Sequence, residues 1–493
     1  MDTGNLPHYS PTCQEDSQPA SGPLVLMPDK ALESSRSVVL SAEPRIMSSP
    51  QKSGMRILVR RFVADYGMVF VLLLLMAGFS FLTIQPQRPT GADVGAAIAD
   101  QILSQFGNSV SVIIAVPGSE EDRAFADAAG NRLEFAGATV VAVTTGSPVD
   151  AGQALQKAVD DGVSVDAVAL TGSSAMWTVL DKFPQLTRDR RISPGTGSWP
   201  NFLKASNLIG VANQTAVYAV IAIGMTMVII TGGIDLSVGS VVALASVIAT
   251  IIIRDHGGGV SASTATVAIA FSIAILVAAL AGAFNGIMVT TYQLPPFIVT
   301  LSTMLIARGL AKRLSEFQSI NAVPPSFRWL GNGSTFNVPN AILLMLVLYV
   351  LTHFVMSRSV FGRYLYAIGG NAQASRLSGI PVKKTTMIVY VICGALAGLG
   401  GIMVSSRLNA GDPKYGTMYE LEVISAVVVG GTSLMGGEGR MFGTLIGAFI
   451  IAVIRNGMNL MGVNSDSQEI VLGAVLLLAV LLDRVKRIRM SGT

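Results

Sequence analysis

The residues of this chain that could do chemistry lie in three short segments set between apolar runs. The first reads Gly232-Gly233-Ile234-Asp235-Leu236-Ser237-Val238-Gly239-Ser240. Glycine and serine at such a place end or cap helices, and an acid next to membrane-like sequence is costly and often functional. Two readings stay open. Asp235 or Ser237 accepts backbone N–H bonds at the start of the next helix, or Gly232, Gly233, Asp235, Ser237 and Gly239 form a helix break used in gating or transport. The second segment, Gly430-Gly431-Thr432-Ser433-Leu434-Met435-Gly436-Gly437, aligns with the first at an offset of 198 residues, Gly232 onto Gly430. Paired glycine-interrupted segments point to internal repeats in transporters, which makes Gly430, Gly431 and Gly437 further helix-break or pathway candidates. Close helix packing through small residues explains the same pattern. The third segment runs from Gly362 to Lys384. Asn371 can cap a short helix over 372–378 and Gly379 can end it. Such a helix is either a docking knob for a partner or an ordinary charged connection.

What must hold these segments is set by composition. Of 493 residues 51% are apolar and only 13% charged, half the usual charged share. This excludes a disordered chain, a coiled coil and a basic-surface nucleic-acid binder, and it indicates a protein dissolved mostly in the lipid bilayer. Ten apolar runs approach the ~20 residues that a spanning helix needs, at roughly 67–84, 208–230, 236–253, 264–290, 296–311, 340–357, 385–406, 421–436, 441–462 and 469–482. The fifth and eighth are short and interrupted. The expected fold is therefore mainly α: a polytopic transmembrane helical bundle of about ten spans.

Basic residues in short loops favour the cytoplasm. Arg56, Arg60 and Arg61 precede the first run, Arg358, Arg363, Arg376, Lys383 and Lys384 lie between the sixth and seventh, and Arg484, Lys486, Arg487 and Arg489 follow the last. All three clusters fit one topology with both termini cytoplasmic. Lys312, Arg313 and Arg328 fall outside in that topology, as do the scattered Arg254, Arg407 and Lys414. Residues 1–55 are Ser- and Pro-rich and read as a disordered cytoplasmic tail rather than a secretory signal. Residues 56–88 carry the first span and 197–489 the main membrane domain.

Residues 89–196 differ from the rest. With 13 acids and 7 bases over 91–192, this stretch reads as a soluble, extracytoplasmic α/β insert. Strands are expected at Val110 to Val116, Ala138 to Thr144 and Val165 to Leu170, with helices over 120–136, 150–161 and 173–183, and the alternation implies a parallel sheet. Trp177, Trp199 and Trp329 all fall on the outer side, where they can stack on a sugar or serve as core and interface anchors.

The segments Gly224 to Gly239, Gly362 to Ile380 and Ile424 to Gly462 carry a family resemblance. The chain resembles the permease subunit of ribose-type sugar ABC importers over 56–84 and about 197–489. The resemblance implies a cell inner-membrane protein, working as a homodimer, that admits a ribose-like pentose, a hexose or a polyol. It implies coupling to a separate ATP-binding cassette ATPase subunit carrying ATP-Mg, and delivery by a soluble sugar-binding protein. It also places Gly370, Asn371, Ala374, Arg376 and Gly379 in the ATPase-coupling loop. The insert departs from ordinary members of the family. Its run from Ser109 through Gly172 is similar to the first lobe of periplasmic sugar-binding receptors, so it is either a fused receptor lobe or a docking and shielding element.

No cofactor is expected on this chain. No Gly-x-x-x-x-Gly-Lys-Ser/Thr loop occurs, so ATP hydrolysis must come from another subunit. The histidines His8, His256 and His353 are far apart, and the cysteines Cys13 and Cys393 form neither a disulfide framework nor a metal-ligand cluster. A transport subunit rather than an enzyme is therefore expected. A membrane-anchored sugar sensor and an ion-coupled secondary transporter remain the competing classes.

Overall fold

The structure is a computed structural model that describes residues 54–87, 89–195 and 197–491. Most of the expected tail, 1–53, lies outside the described residues, as do the side chains of Arg56, Arg60, Arg61, Arg484, Lys486, Arg487 and Arg489. The chain divides into two units, 1–62 and 63–493; of the first only the beginning of helix α1 is described.

Helix α1 (Gly54–Leu82) leads into a short strand, β1 (Ile84–Pro86). Then come α2 (Ala92–Phe106), β2 (Ser111–Val116), α3 (Glu120–Phe135), β3 (Thr139–Thr145), α4 (Pro148–Asp160), β4 (Ala167–Leu170), β5 (Arg191–Ile192) and β6 (Ser198–Pro200). Strands β2 to β5 form a parallel sheet in the order β3-β2-β4-β5. The expected strands and the first two helices are in place. Strands β2 and β4 are apolar because both their faces are covered, with Val112, Ile114, Phe125 and Leu133 on one side and Ile113, Leu155, Leu170 and Leu180 on the other, while the edge strand β3 is partly exposed. Helix α4 begins with a capping box in which Asp150 accepts from the Ser147 amide at 2.8 Å, and that bond holds the Asp150 carboxyl below its usual range.

The third expected helix, 173–183, is absent. Two short 3-10 turns, Ser174–Met176 and Thr178–Lys182, stand in its place. The local cause is that Thr171 and Ser174 tie each other's backbone amides with their hydroxyls at 3.2 and 2.9 Å, the competition by which Ser and Thr disfavour helix interiors. Two further features were not expected: helix α2, and the antiparallel pairing of β1 with β6. That pairing sets Pro86 opposite Ser198 and extends through Gln87 N–H to Gly197 O at 2.8 Å. The α/β unit thus hangs on a two-stranded stem.

The bundle follows. Its elements are α5 (Ala205–Ile230), α6 (Val238–Ile251), α7 (Thr264–Thr290), α8 (Pro296–Leu314), α9 (Trp329–Asn332), the hairpin β7 (Ser334–Thr335) and β8 (Val338–Pro339), α10 (Asn340–Arg358), α11 (Val360–Gly370), α12 (Ala372–Leu377), α13 (Val382–Leu408), α14 (Tyr419–Val429), α15 (Met441–Leu460) and α16 (Ser465–Ser491). By length and composition six helices among the described residues can cross a membrane: α5, α6 with its π turn to His256, α7, α10, α13 and α15. Gly67–Leu82 within α1 is a shorter apolar helix. Apolar side chains on lipid-facing stripes, such as Ile269, Ile273, Leu276, Leu280 and Phe284 of α7, stay exposed.

Bilayer lipid is as apolar as leucine, so helices here associate through close packing rather than burial from water. The most extensive pairing, α7 with α13, shows how. Gly282 sits against the backbone of Tyr390 and Gly394, Gly398 against Ala278, and Gly286 against Met387. The fifth expected span forms α8, which runs from Ile234 O, a partner of Thr300 Oγ1, to the neighbourhood of Ile320 and Gly411. Arg308, Lys312 and Arg313 cluster in its second half and break up its apolar sequence.

The eighth expected span, 421–436, is not a full-length helix. Helix α14 has 11 residues, about 16 Å, half of a ~30 Å hydrocarbon core. It is preceded by an irregular stretch, 409–418, that descends alongside α6 from Thr250 at Gly411 to Gly239 at Gly416. Non-helical backbone is tolerated there only if its carbonyls are satisfied by protein. Arg308 does this, donating to Pro413 O and Tyr415 O at 2.8 and 2.7 Å and to Gly416 O at 3.2 Å.

Because the stem already holds Gln87 beside Gly197, replacing 88–196 by an Asn-Gly turn is expected to leave the bundle folded. Detergent-solubilised protein should keep the full-length chain's membrane yield and monodispersity; a collapse of either contradicts an independently folded bundle.

Candidate functional site

The three glycine-containing segments meet at one joint. Helix α5 ends in a Schellman closure, with Gly232 N–H on Ile229 O at 2.9 Å and Gly233 N–H on Val228 O at 3.0 Å. Helix α14 ends the same way, Gly431 N–H on Val428 O at 2.8 Å and Thr432 N–H on Val427 O at 3.1 Å. The left-handed residues are Gly232 at φ 81° and Gly431 at φ 85°, positions where a side chain is strained. The equivalence therefore runs Gly232 to Gly431, an offset of 199, one residue from the sequence alignment. Matching the first glycine of each pair misled because Thr231, not a glycine, occupies the C-cap position of α5.

Gly437 N–H donates to Ile230 O, the last carbonyl of α5, at 2.9 Å. Onto this bond presses the end of α11. A β-carbon at Gly369 would collide with Ile230 O and Gly437 N, whereas one at Gly370 meets nothing within 4 Å. The residue that needs to be glycine for this contact is thus Gly369, a neighbour of the coupling-loop candidate Gly370. Tyr366 completes the joint by donating to Gly439 O at 2.8 Å, and burial raises its pKa, which keeps the hydroxyl protonated as a donor.

From this joint projects α12. Asn371 Oδ1 accepts from Ala374 N–H at 2.9 Å. Gly379, at φ 82°, closes the other end, with its N–H on Arg376 O at 3.1 Å and Ile380 N–H on Ser375 O at 3.0 Å. Both expected caps are present on a helix of six residues. Ser375 is its buried residue, and Ala374, Arg376 and Gly379 are exposed. Leu377 is 90% exposed, an apolar tip that sequence reading passed over because one leucine in a polar loop carries no periodic signal.

Asp235 is buried at 1% exposure. Its Oδ1 accepts from Ser237 N–H at 2.9 Å and Ser237 Oγ at 2.6 Å. Asn285 Nδ2 donates to Ser237 Oγ at 3.0 Å, and Thr303 Oγ1 donates to Asn285 Oδ1 at 2.6 Å. The carboxylate therefore closes a turn before α6 and leashes it to α7 and α8; neither Asp235 nor Ser237 caps the amides inside α6. Gly239 sits apart from the joint, against Gly416 and Glu420, and Gly430 against Gly443.

Sequence reading also missed a polar cleft on α5, α14 and α15. Glu422 pairs with Arg455 at 2.7 Å, and Arg455 donates to the Tyr218 hydroxyl at 3.3 Å. The Tyr218 and Tyr419 rings lie 4.5 Å apart. Nearer the stem, Asn207 and Asn456 exchange amide bonds at 2.8 and 3.0 Å. Glu422 and Arg455 each sit in an apolar run, and the signal was two opposite charges inside membrane-like sequence.

The family described as the permease component of the branched-chain amino acid transport system matches residues 207–480. The chain belongs to this permease family. The ribose import permease protein RbsC of Escherichia coli K12 is 44% identical to this permease over 292 residues, covering 58% of this chain and 88% of the relative. The Bacillus subtilis 168 ribose import permease protein is 40% identical over 58% and 87%. The L-arabinose ABC transporter permease protein of Azospirillum brasilense is 35% identical over 58% and 83%. No solved structure matches the chain. The family match begins at 207, so the α/β insert lies outside it. The joint, α12 and the cleft lie inside it.

Gly369→Ala is expected to lower the melting temperature by several degrees, since overpacking costs ~1–3 kcal/mol. Gly370→Ala should leave it unchanged. Equal effects of the two substitutions contradict the close contact.

Proposed function

We propose that this permease is the membrane-spanning subunit of an ATP-driven sugar importer of the inner membrane. The relatives named for ribose and L-arabinose support a sugar, and a ribose-like pentose is the first candidate, with hexoses and polyols of similar size next. The permease itself hydrolyses nothing. A separate ATP-binding cassette ATPase supplies the energy with its own ATP-Mg, a soluble sugar-binding protein delivers the sugar, and two copies of the chain form a homodimer.

The observation that carries this reading is the exposed, doubly capped α12 seated on the glycine joint. Closing of the ATPase dimer pushes on 371–379. Gly369 passes the push to Ile230 and Gly437, so that the ends of α5 and α14 move with α12 instead of past it. Gly232, Gly233, Gly430, Gly431 and Gly437 supply the turns in this moving part, and the Asp235–Ser237 turn holds α6 in register with it. Arg358, Arg363, Arg376, Lys383 and Lys384 are exposed at this end, which favours the cytoplasm.

Helix α5 starts beside the stem and ends at the joint 26 residues later, about 39 Å away. If the joint is cytoplasmic, the insert is outside, and Trp199 and Trp329, exposed at the stem end, sit at the outer interface. Helices α1, α8 and α16, together with the discontinuous 409–429, bring the crossings to ten with both termini cytoplasmic. The insert, a single lobe on a stem, is assigned to docking or completing the receptor.

Radiolabelled D-ribose uptake by vesicles holding this chain and its ATPase should require ATP. Uptake that persists without the ATPase points to an ion-coupled carrier, and ligand binding without uptake points to a sensor. Leu377→Asp is expected to weaken ATPase capture about tenfold or more, as loss of one interface anchor does, and Arg376→Glu with Gly379→Pro to abolish uptake. Both variants should insert normally. Full uptake by either contradicts coupling through α12.

A further inference from the structure

The polar cleft has an unusual position. It lies where the irregular stretch 409–418 gives way to α14, and discontinuous helices of this kind build substrate sites near the middle of transporter bundles. An apolar wall of Val211, Ala426, Ala448, Ile451 and Ala452 lines it, facing Gln214, Tyr218, Glu422, Arg455 and Asn456. Towards the joint it is closed. Thr226 and Thr444 share a hydroxyl bond at 2.8 Å, and Gly443 and Gly447 press on the backbone of Gly430 and Ala426. Towards the stem Gln214 is exposed.

We propose that this cleft is a transit site for an uncharged, polyhydroxylated ring. Tyr218, in the lining and packed against the Tyr419 ring, offers an aromatic edge to the C–H side of such a ring. Glu422 accepts from hydroxyls, Arg455 donates to them, and the Gln214 and Asn456 amides do both. The Glu422–Arg455 pair is formed and neutral overall, so an anion or a cation gains little there. A zwitterionic amino acid would have to break a 2.7 Å ion pair to be held. Vicinal hydroxyls can bridge the intact pair. A charge pair within membrane helices is expensive, and ligand recognition gives a reason to keep it. The site deepens the sugar-importer reading and rests on it for the ligand class.

The test uses the full chain in membrane vesicles. Ala452→Cys, in a Cys13→Ser background, is exposed from the stem side to a membrane-impermeant thiol reagent, and native Cys393 is buried. It should react, and D-ribose or D-xylose should slow the reaction severalfold while L-leucine does not. Adding Glu422→Gln should remove the protection. No reaction, reaction at a rate no sugar alters, or protection by leucine alone overturns the proposal. ATP-dependent D-ribose uptake in vesicles that also hold the ATPase, with the sugar-binding protein outside, separates the two readings. Uptake without protection sinks the site alone, and protection without ATP-dependent uptake sinks the importer and keeps the site.

Discussion

The fold turns on one hydrogen bond, from Gly437 N–H to Ile230 O, and on the absence of a side chain at Gly369 beside it. A helix leaves its last carbonyls without partners, and at the buried Ile230 such a group has no water to turn to. Ile230 finds its partner in a loop 207 residues further along the chain (437 minus 230). That long-range choice brings the end of α5, the loop after α14 and the end of α11 to one point. Backbone-to-backbone contact of this kind transmits displacement, because no flexible side chain lies between the parts.

The same constraint, that polar groups in lipid must be matched within the protein, explains the other irregular parts. Arg308 satisfies the carbonyls of 413–416. Asp235 is held by Ser237, and through it by Asn285 and Thr303. Glu422 is held by Arg455. Each arrangement matches a polar group where a helix is broken, begins or carries a charge. Where no break is kept, as between α7 and α13, glycines let the helices touch and no polar partner is needed.

Local chemistry was legible in the sequence. The caps at Asn371 and Gly379, the glycine stops after α5 and α14, and the buried strands of the insert all follow from residue types within a few positions. What depended on distant contacts was not. Gly369 and Gly370 look alike in sequence and differ only in what lies across from them. The register of the two glycine stops shifted by one because the C-cap residue differs. The stretch 421–436 is apolar enough to read as a span, yet its helix begins only at Tyr419, after the irregular 409–418, and its glycines end it at the joint. The pairing of Glu422 with Arg455, and of β1 with β6 across the whole insert, required the tertiary fold.

The most direct test of the account is a spin-label distance between Gln373, on α12, and Met435, on the glycine loop. Both are exposed, and they are measured in the permease–ATPase assembly with and without ATP. The account predicts one unchanged distance in both states, since α12 and the joint move as a block. A distance that shifts or splits on ATP binding would show α12 moving free of the joint and would contradict it.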